Sequence, residues 1–427
     1  MVAAFIFAMV LVGGATRLTE SGLSITEWRP VTGALPPLNE AQWQTEFQRY
    51  QAIPQYRQMN AGMRLADFKT IYWWEWAHRI IGRIIGVAFF VPFAWFLWRG
   101  WIPPNRRAGL WMILALGALQ GAIGWWMVAS GLADRIEVSQ YRLATHLVLA
   151  CLIYVAVVWT GTRWQDERAQ SLFGKLDKAA QPVTVRAGAI GLVVLLLTQI
   201  YLGALVTGLR AGHAYNTWPL IDGGFVPQSS RLLFEVPLWR NFFENPLTVQ
   251  FDHRMLGYVI GLLVLLQLFN VAKLAKRGPI FTSAALVTAA VIVQVALGIW
   301  TLLSVAALPL ALLHQAIAMI TLSLAVVHAA TAIPPRVSVR TETFFAVGRA
   351  KCPRHAAQGQ TIVNGSAAHQ LFQAFQIFLD VSRARMAERI ERIRLQRQKC
   401  TLPAKSDTPL FSGRVNRRFD RNQCRQR

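Results

Sequence analysis

Long, almost uncharged apolar blocks of roughly 20 residues dominate this chain, and that is the length a helix needs to cross the hydrocarbon core of a bilayer. They fall near residues 1–18, 77–98, 108–130, 143–161, 185–207, 252–270, 281–303 and 308–331. In hydrocarbon a helix satisfies its own backbone hydrogen bonds, so each block is expected to span as one helix. The expected fold class is an all-α polytopic membrane protein with eight transmembrane helices. Composition agrees, with 54% hydrophobic residues, only 15% charged residues and 16 Trp.

The first block is short, with only fourteen uncharged residues before Ala15 and Arg17, and no basic segment precedes it as a signal peptide would require; the true start is expected upstream. Basic residues gather in alternate loops, at Arg99, Arg106 and Arg107, at Arg163, Arg168, Lys175, Lys178 and Arg186, and at Lys273, Lys276 and Arg277. The positive-inside rule then puts both termini in the cytoplasm and segments 15–76, 131–142, 208–251 and 304–308 outside. An integral membrane location is expected.

The net charge of +23 does not imply nucleic acid. Residues 336–427 hold 19 Lys plus Arg against 6 Asp plus Glu, and the rest is ordinary topogenic charge. This segment, part of a basic tail at 332–427, reads as disordered apart from a short amphipathic piece at 384–398. Its abrupt change of composition suggests a shifted reading frame; as a genuine arm it would favour anionic lipid. Cys151 sits alone in a helix and Cys352, Cys400 and Cys424 lie in the tail, so no external disulfide is implied.

An internal repeat organises the rest. "EWAHRIIGRIIG" returns 175 residues later as "QFDHRMLGYVIG", "LQGAIGWWM" (119–127) is echoed by "VQVALGIWT" (293–301), and "THLVLACLIY" (145–154) by "LHQAIAMITL" (313–322). A weaker echo links "GGATRL" (13–18) to "LGALVTGL" (202–209). Two pseudo-symmetric four-helix bundles in parallel orientation are expected, at 1–162 and 184–331, with a cytoplasmic linker at 163–183. In the first external loop, Trp43, Phe47 and Tyr50 share one helical face, which fits either an interfacial helix or one packed within the loop. The second, at 211–227, reads as a turn-rich cap.

Each half carries two histidines near the external start of an even-numbered helix: His78 and His146, then His253 and His314. Ionisable residues within a membrane point to function. Two imidazoles on facing helices of a bundle can ligate a haem iron from both faces. Gly82 and Gly86 follow His78 at i+4 and i+8, and Gly257 and Gly261 follow His253 likewise. Such strips leave room for a flat macrocycle, although close helix packing would also explain them. Arg79 and Arg254 stand where haem propionates would emerge, and snorkelling is their competing explanation. His328 reads as structural, and His213, His355 and His369 as solvated.

The halves differ one turn before the first histidine, where Glu75 stands in one and Gln250 in the other. Such a residue lies beside the histidine, and only the carboxylate can transfer protons. The N-terminal half is thus the expected place of chemistry, and the C-terminal half the permanent haem holder. A non-catalytic two-haem cytochrome b carrier is the main alternative, although such carriers commonly stack their haems across the membrane. A transporter built from parallel repeats would not require four histidines.

Through "GGATRLTESGLSITEW", "EWAHRIIGR", "AGHAYNTWPL" and "FDHRMLGYVIG", residues 1–331 resemble the haem A synthase family. The likeness is to its proteobacterial and mitochondrial branch, without the external cysteine pair. The resemblance implies oxidation of a ring methyl group of haem O to a formyl group, giving haem A for cytochrome oxidase. It further implies oxygen derived from water and electrons leaving through a bound haem b. By the same resemblance His253 and His314 correspond to the haem b axial ligands, His78 and His146 to the substrate-haem histidines, and Glu75 to the essential acid. Implied partners are haem O synthase, cytochrome oxidase assembly factors and membrane lipid; a homo-oligomer is compatible with the reading.

Overall fold

The computed structural model describes residues 1–30, 32–133, 135–173 and 181–333, without the side chains of 167–173. The basic tail beyond residue 333, including the helix expected at 384–398, and linker residues 174–180 lie outside the described residues.

Among the described residues there is no strand, only an isolated bridge between Ile221 and Gly224. The α-helices are α1 (Val2–Leu18), α2 (Glu40–Gln51), α3 (Pro54–Met59), α4 (Leu65–Trp98), α5 (Pro104–Leu132), α6 (Gln140–Phe173), α7 (Val183–Gly208), α8 (Ala211–Ala214), α9 (Ser229–Leu232), α10 (Asn241–Glu244), α11 (Pro246–Leu274), α12 (Pro279–Leu303) and α13 (Leu308–Ala332). Seven of them, α4 to α7 and α11 to α13, are long and apolar enough to cross a membrane; α1 is apolar but has 17 residues.

These eight helices pack in two rings of the same order. α1 contacts α4, α4 contacts α5, α5 contacts α6 and α6 returns to α1, while α7, α11, α12 and α13 repeat the circuit. The rings meet through α6 against α7 and α13, and through α1 against α13. Ile6 and Val10 of α1, Cys151 and Tyr154 of α6, Leu192 of α7, Val264 of α11 and Met319 and Leu322 of α13 share one buried cluster that joins both rings. At its centre the Cys151 thiol donates to Met319 Sδ at 3.8 Å, and the Tyr154 and Ser323 hydroxyls lie 2.7 Å apart. Lipid tails are as apolar as these side chains, so close packing and such interhelical bonds hold the rings together rather than hydrophobic burial.

The outward faces are equally apolar. Along α11, Val259, Leu262, Leu265, Leu266 and Phe269 are exposed, while Ile260 and Val264 are buried. A contiguous apolar surface of this kind is stable against hydrocarbon, not water, and the chain is an integral membrane protein. At one end of the rings Arg99 lies over Trp95 and Trp98, Arg163 over Trp159 and Lys273 over Phe269, the cation and aromatic pairing favoured at a membrane boundary.

The opposite end, the loop face, carries segments 19–64 and 209–245. There Trp43, Phe47 and Tyr50 of α2 are buried against Phe68 and Tyr72 of α4, with the Trp43 and Tyr72 ring centroids 4.9 Å apart. Asn39 starts α2 by accepting a hydrogen bond from the Gln42 amide at 2.9 Å. The amphipathic face is thus turned into the protein, and the packed helix, not the interfacial one, is what forms. The same cluster extends α4. It begins at Leu65 rather than near residue 77, because its first turns gain Phe68 and Tyr72 as anchors in the loop layer. His78 therefore lies several turns inside its helix, unlike His146, His253 and His314, which stay near their helix starts.

Candidate functional site

All four ring-facing histidines rest on glycine. His78 of α4 lies against Gly13 of α1, His146 of α6 against Gly124 of α5, His253 of α11 against Gly203 of α7 and His314 of α13 against Gly298 of α12. A Cβ added at Gly13, Gly124 or Gly298 would come within 2.8, 2.9 or 2.9 Å of the ring Cε1 atom, closer than packed atoms tolerate, and one at Gly203 would make a tight 3.2 Å contact. Each imidazole is therefore seated by a missing side chain on the neighbouring helix. His78 of α4 and His146 of α6 belong to one ring of helices, His253 of α11 and His314 of α13 to the other.

Three of the four also meet a glutamine placed one turn before that glycine. Gln120 Nε2 donates to the His146 carbonyl at 3.0 Å and lies 3.1 Å from its Nδ1. Gln199 Nε2 donates to the His253 carbonyl at 2.9 Å and lies 3.2 Å from its Nδ1. Gln294 Nε2 donates to the His314 carbonyl at 3.0 Å and lies 3.4 Å from its Nε2. The carbonyl oxygens of all three amides are buried without a partner among the described residues, as are the Nδ1 atoms of His78 and His314. Sequence reasoning missed these glutamines and glycines. The signal was present, since Gln120 and Gly124 recur as Gln294 and Gly298 at one offset in the quoted repeat.

The predicted glycine strips are partly open. Nothing lies within 4 Å of a Cβ added at Gly86 or Gly261, whereas one at Gly82 would be 3.2 Å from Met9 Cε and one at Gly257 3.6 Å from Gln199 Nε2.

Glu75 is 3% exposed and fully engaged. Its Oε2 accepts from Ser24 Oγ at 2.7 Å and the Ile25 amide at 2.8 Å; its Oε1 accepts from Arg79 Nη2 at 2.7 Å and Nε at 3.1 Å. Arg79 continues to the Ile25 and Glu27 carbonyls at 2.8 and 2.9 Å, and Arg83 to those of Arg29 and Pro30, both at 2.9 Å. Charge-assisted bonds of this kind are among the stronger ones, and they tie the carboxylate to the loop that covers it. In the other ring Gln250 is equally buried, but its Oε1 has no partner among the described residues. Arg254 donates to the Tyr215 and Leu220 carbonyls at 3.0 and 3.4 Å, and its buried Nε is unpartnered there. His328 is bonded to Gln267 at 3.0 Å and Ser283 at 2.9 Å, as a structural histidine would be. His213 is exposed in α8.

A haem held from two faces needs paired imidazoles with bare surface around them. The residues present fit such a group in both rings, on the ground of the glycine seats, the orphaned ring nitrogens and the open strips at Gly86 and Gly261.

Comparison with known proteins agrees with this chemistry. The family model described as cytochrome oxidase assembly protein matches residues 1–326. A protein named "Heme A synthase" from Rhodopseudomonas palustris strain TIE-1 is 56% identical over 325 residues, covering 76% of this chain and 85% of the relative. A protein of the same name from Bradyrhizobium diazoefficiens is 56% identical over 327 residues, 77% of this chain and 88% of the relative. No solved structure matches. The chain belongs to the cytochrome oxidase assembly protein family that includes these haem A synthases.

Proposed function

We propose that the chain is a haem A synthase of a bacterial inner membrane, an oxidoreductase that turns a ring methyl group of haem O into the formyl group of haem A for cytochrome oxidase. Relatives more than half identical over most of their length support the activity. The observation that carries the division of labour is the asymmetry between Glu75, held by four donors, and Gln250, whose Oε1 has no partner among the described residues.

In this reading α1 is the eighth span, residues 1–162 form the substrate half, 184–331 the haem b half, and both termini are cytoplasmic. His78 and His146 hold haem O, while His253 and His314 hold haem b. A haem b held by His253 and His314 would supply a one-electron redox centre beside the substrate half. Converting a methyl to a formyl group takes up one water and releases four protons and four electrons, so a proton acceptor must stand near the ring edge. Glu75 lies one helical turn from His78 and suits that task. Ser24, Ile25 and Arg79 keep it from turning away, and Arg79 is assigned to this positioning. The free Nε of Arg254 supports a propionate contact in the second half. Haem O synthase and oxidase assembly factors are the expected partners, because substrate and product are too apolar to cross water freely.

Purified variants test the assignment. His253→Ala or His314→Ala is expected to abolish the haem b spectrum, and His78→Ala to leave most of it. Equal loss from all four histidine variants would contradict two unequal sites.

A further inference from the structure

The two turns that join the third and fourth helices of each ring differ in charge. Between α12 and α13, residues 304–307 read "SVAA" and carry no ionisable group. Between α5 and α6 the matching corner of the loop face holds a cavity of about 310 Å³ whose polar walls are Ser130, Arg135, Ser139 and Arg142. Its frame is bonded together: the Ser139 amide donates to Ser130 Oγ at 3.0 Å, and that hydroxyl donates to the Met127 carbonyl at 2.6 Å. The Ser139 carbonyl accepts from the Leu143 amide at 2.9 Å to open α6, so the amides between them have no acceptor within the helix. A helix start of this kind carries partial positive charge and favours an anion.

Neither arginine is neutralised. Arg142 donates to the Trp126 carbonyl at 2.7 Å and lies 4.6 Å from that ring's centroid, and Arg135 donates to Gln140 Oε1 at 3.3 Å. Neither pairs with a carboxylate among the described residues, because Glu137 of the same turn is engaged by Arg17 at 2.6 Å and by Arg210. Two guanidinium groups beside a helix start suit the oxygens of a phosphate. The bilayer leads to the same place. Met112, Leu119 and Trp126 stand seven residues apart on α5, so they share one side of that helix, and all three are exposed. This apolar stripe follows the spanning length of α5 up to the ring on which Arg142 lies. Among the described residues no carboxylate lines the cavity to attract a choline or ethanolamine group, which favours a lipid of net negative charge. We propose that the α5–α6 corner binds an anionic phospholipid from the leaflet on the loop face. Arg135, Arg142 and the start of α6 hold its phosphate, and the stripe on α5 takes its acyl chain. The lipid would brace the first turn of the helix that carries His146, and its binding does not depend on the haem chemistry.

Native mass spectrometry of the full chain tests the site, with phosphatidylglycerol and phosphatidylcholine of identical acyl chains as probes. The wild type is expected to bind phosphatidylglycerol about tenfold more tightly than phosphatidylcholine. Arg135→Gln/Arg142→Gln is expected to lose that preference, while Arg64→Gln/Arg231→Gln, which removes the same charge elsewhere on the loop face, keeps it. Equal retention of the two lipids by the wild type would overturn the proposal without any variant, as would equal loss of preference in both double variants. Inorganic phosphate in excess is expected to leave the lipid bound; displacement would make the corner a site for a free anion and refute the lipid. Haem content is expected to be unchanged in Arg135→Gln/Arg142→Gln. Loss of haem with the lipid preference intact would assign the two arginines to the propionates of the substrate and contradict the proposal.

Discussion

Glu75 and Gln250 stand at matching places in the two halves and are equally buried, yet the carboxylate has gathered four donors while Gln250 Oε1 has no partner among the described residues. Glu75→Gln keeps the shape but removes the charge that binds Arg79 and the capacity to take up protons. It is expected to retain bound haem and make no haem A, read by chromatography of extracted pigments. Ser24→Ala removes one hydrogen bond to a charged group, worth about 1.5–3 kcal/mol, and should lower haem A formation at least about tenfold with haem content unchanged. The histidines and Glu75 were legible because a repeat makes unequal positions visible. Ser24 was not, since only the folded loop brings it 51 positions along the chain to Glu75. The glutamines were overlooked for another reason: a polar residue inside a span reads as a helix contact until its partner's position is known.

At the scale of helices, the glycines that matter most are not on the histidine helices but on their neighbours. Gly298→Val would drive a side chain into His314, whose ring is within 2.9 Å of an added Cβ. Loss of the haem B spectrum in a stably inserted protein is the expected result, measured by difference spectroscopy. Hydropathy located every long helix, since block length is set by the bilayer, but it could not mark where α4 begins. Residues 65–76 carry charges and aromatic rings suited to a loop as well as to a helix, and only packing on α2 decides between them. Phe47→Ala should destabilise this layer by about 3–5 kcal/mol. Faster proteolysis within 19–64, with haem B retained, would register the change.

Across the whole molecule, the loop face also ties the two rings together. Arg17 at the end of α1 pairs with Glu137 at 2.6 Å and donates to the Thr207 carbonyl of α7 at 3.3 Å, while Arg210 pairs with both Glu20 and Glu137. These contacts cross between the halves on the loop face and fix one half against the other. The family match ends at residue 326 and α13 at Ala332, so deletion of 336–427 is expected to leave haem A formation intact in a stably inserted protein. The most direct test is pigment analysis of membranes from a strain that supplies haem O, with and without this chain. Haem A should appear only with the chain and at the expense of haem O. A chain that inserts and binds haem B while haem O remains unconverted would contradict the enzyme and leave an electron carrier in its place.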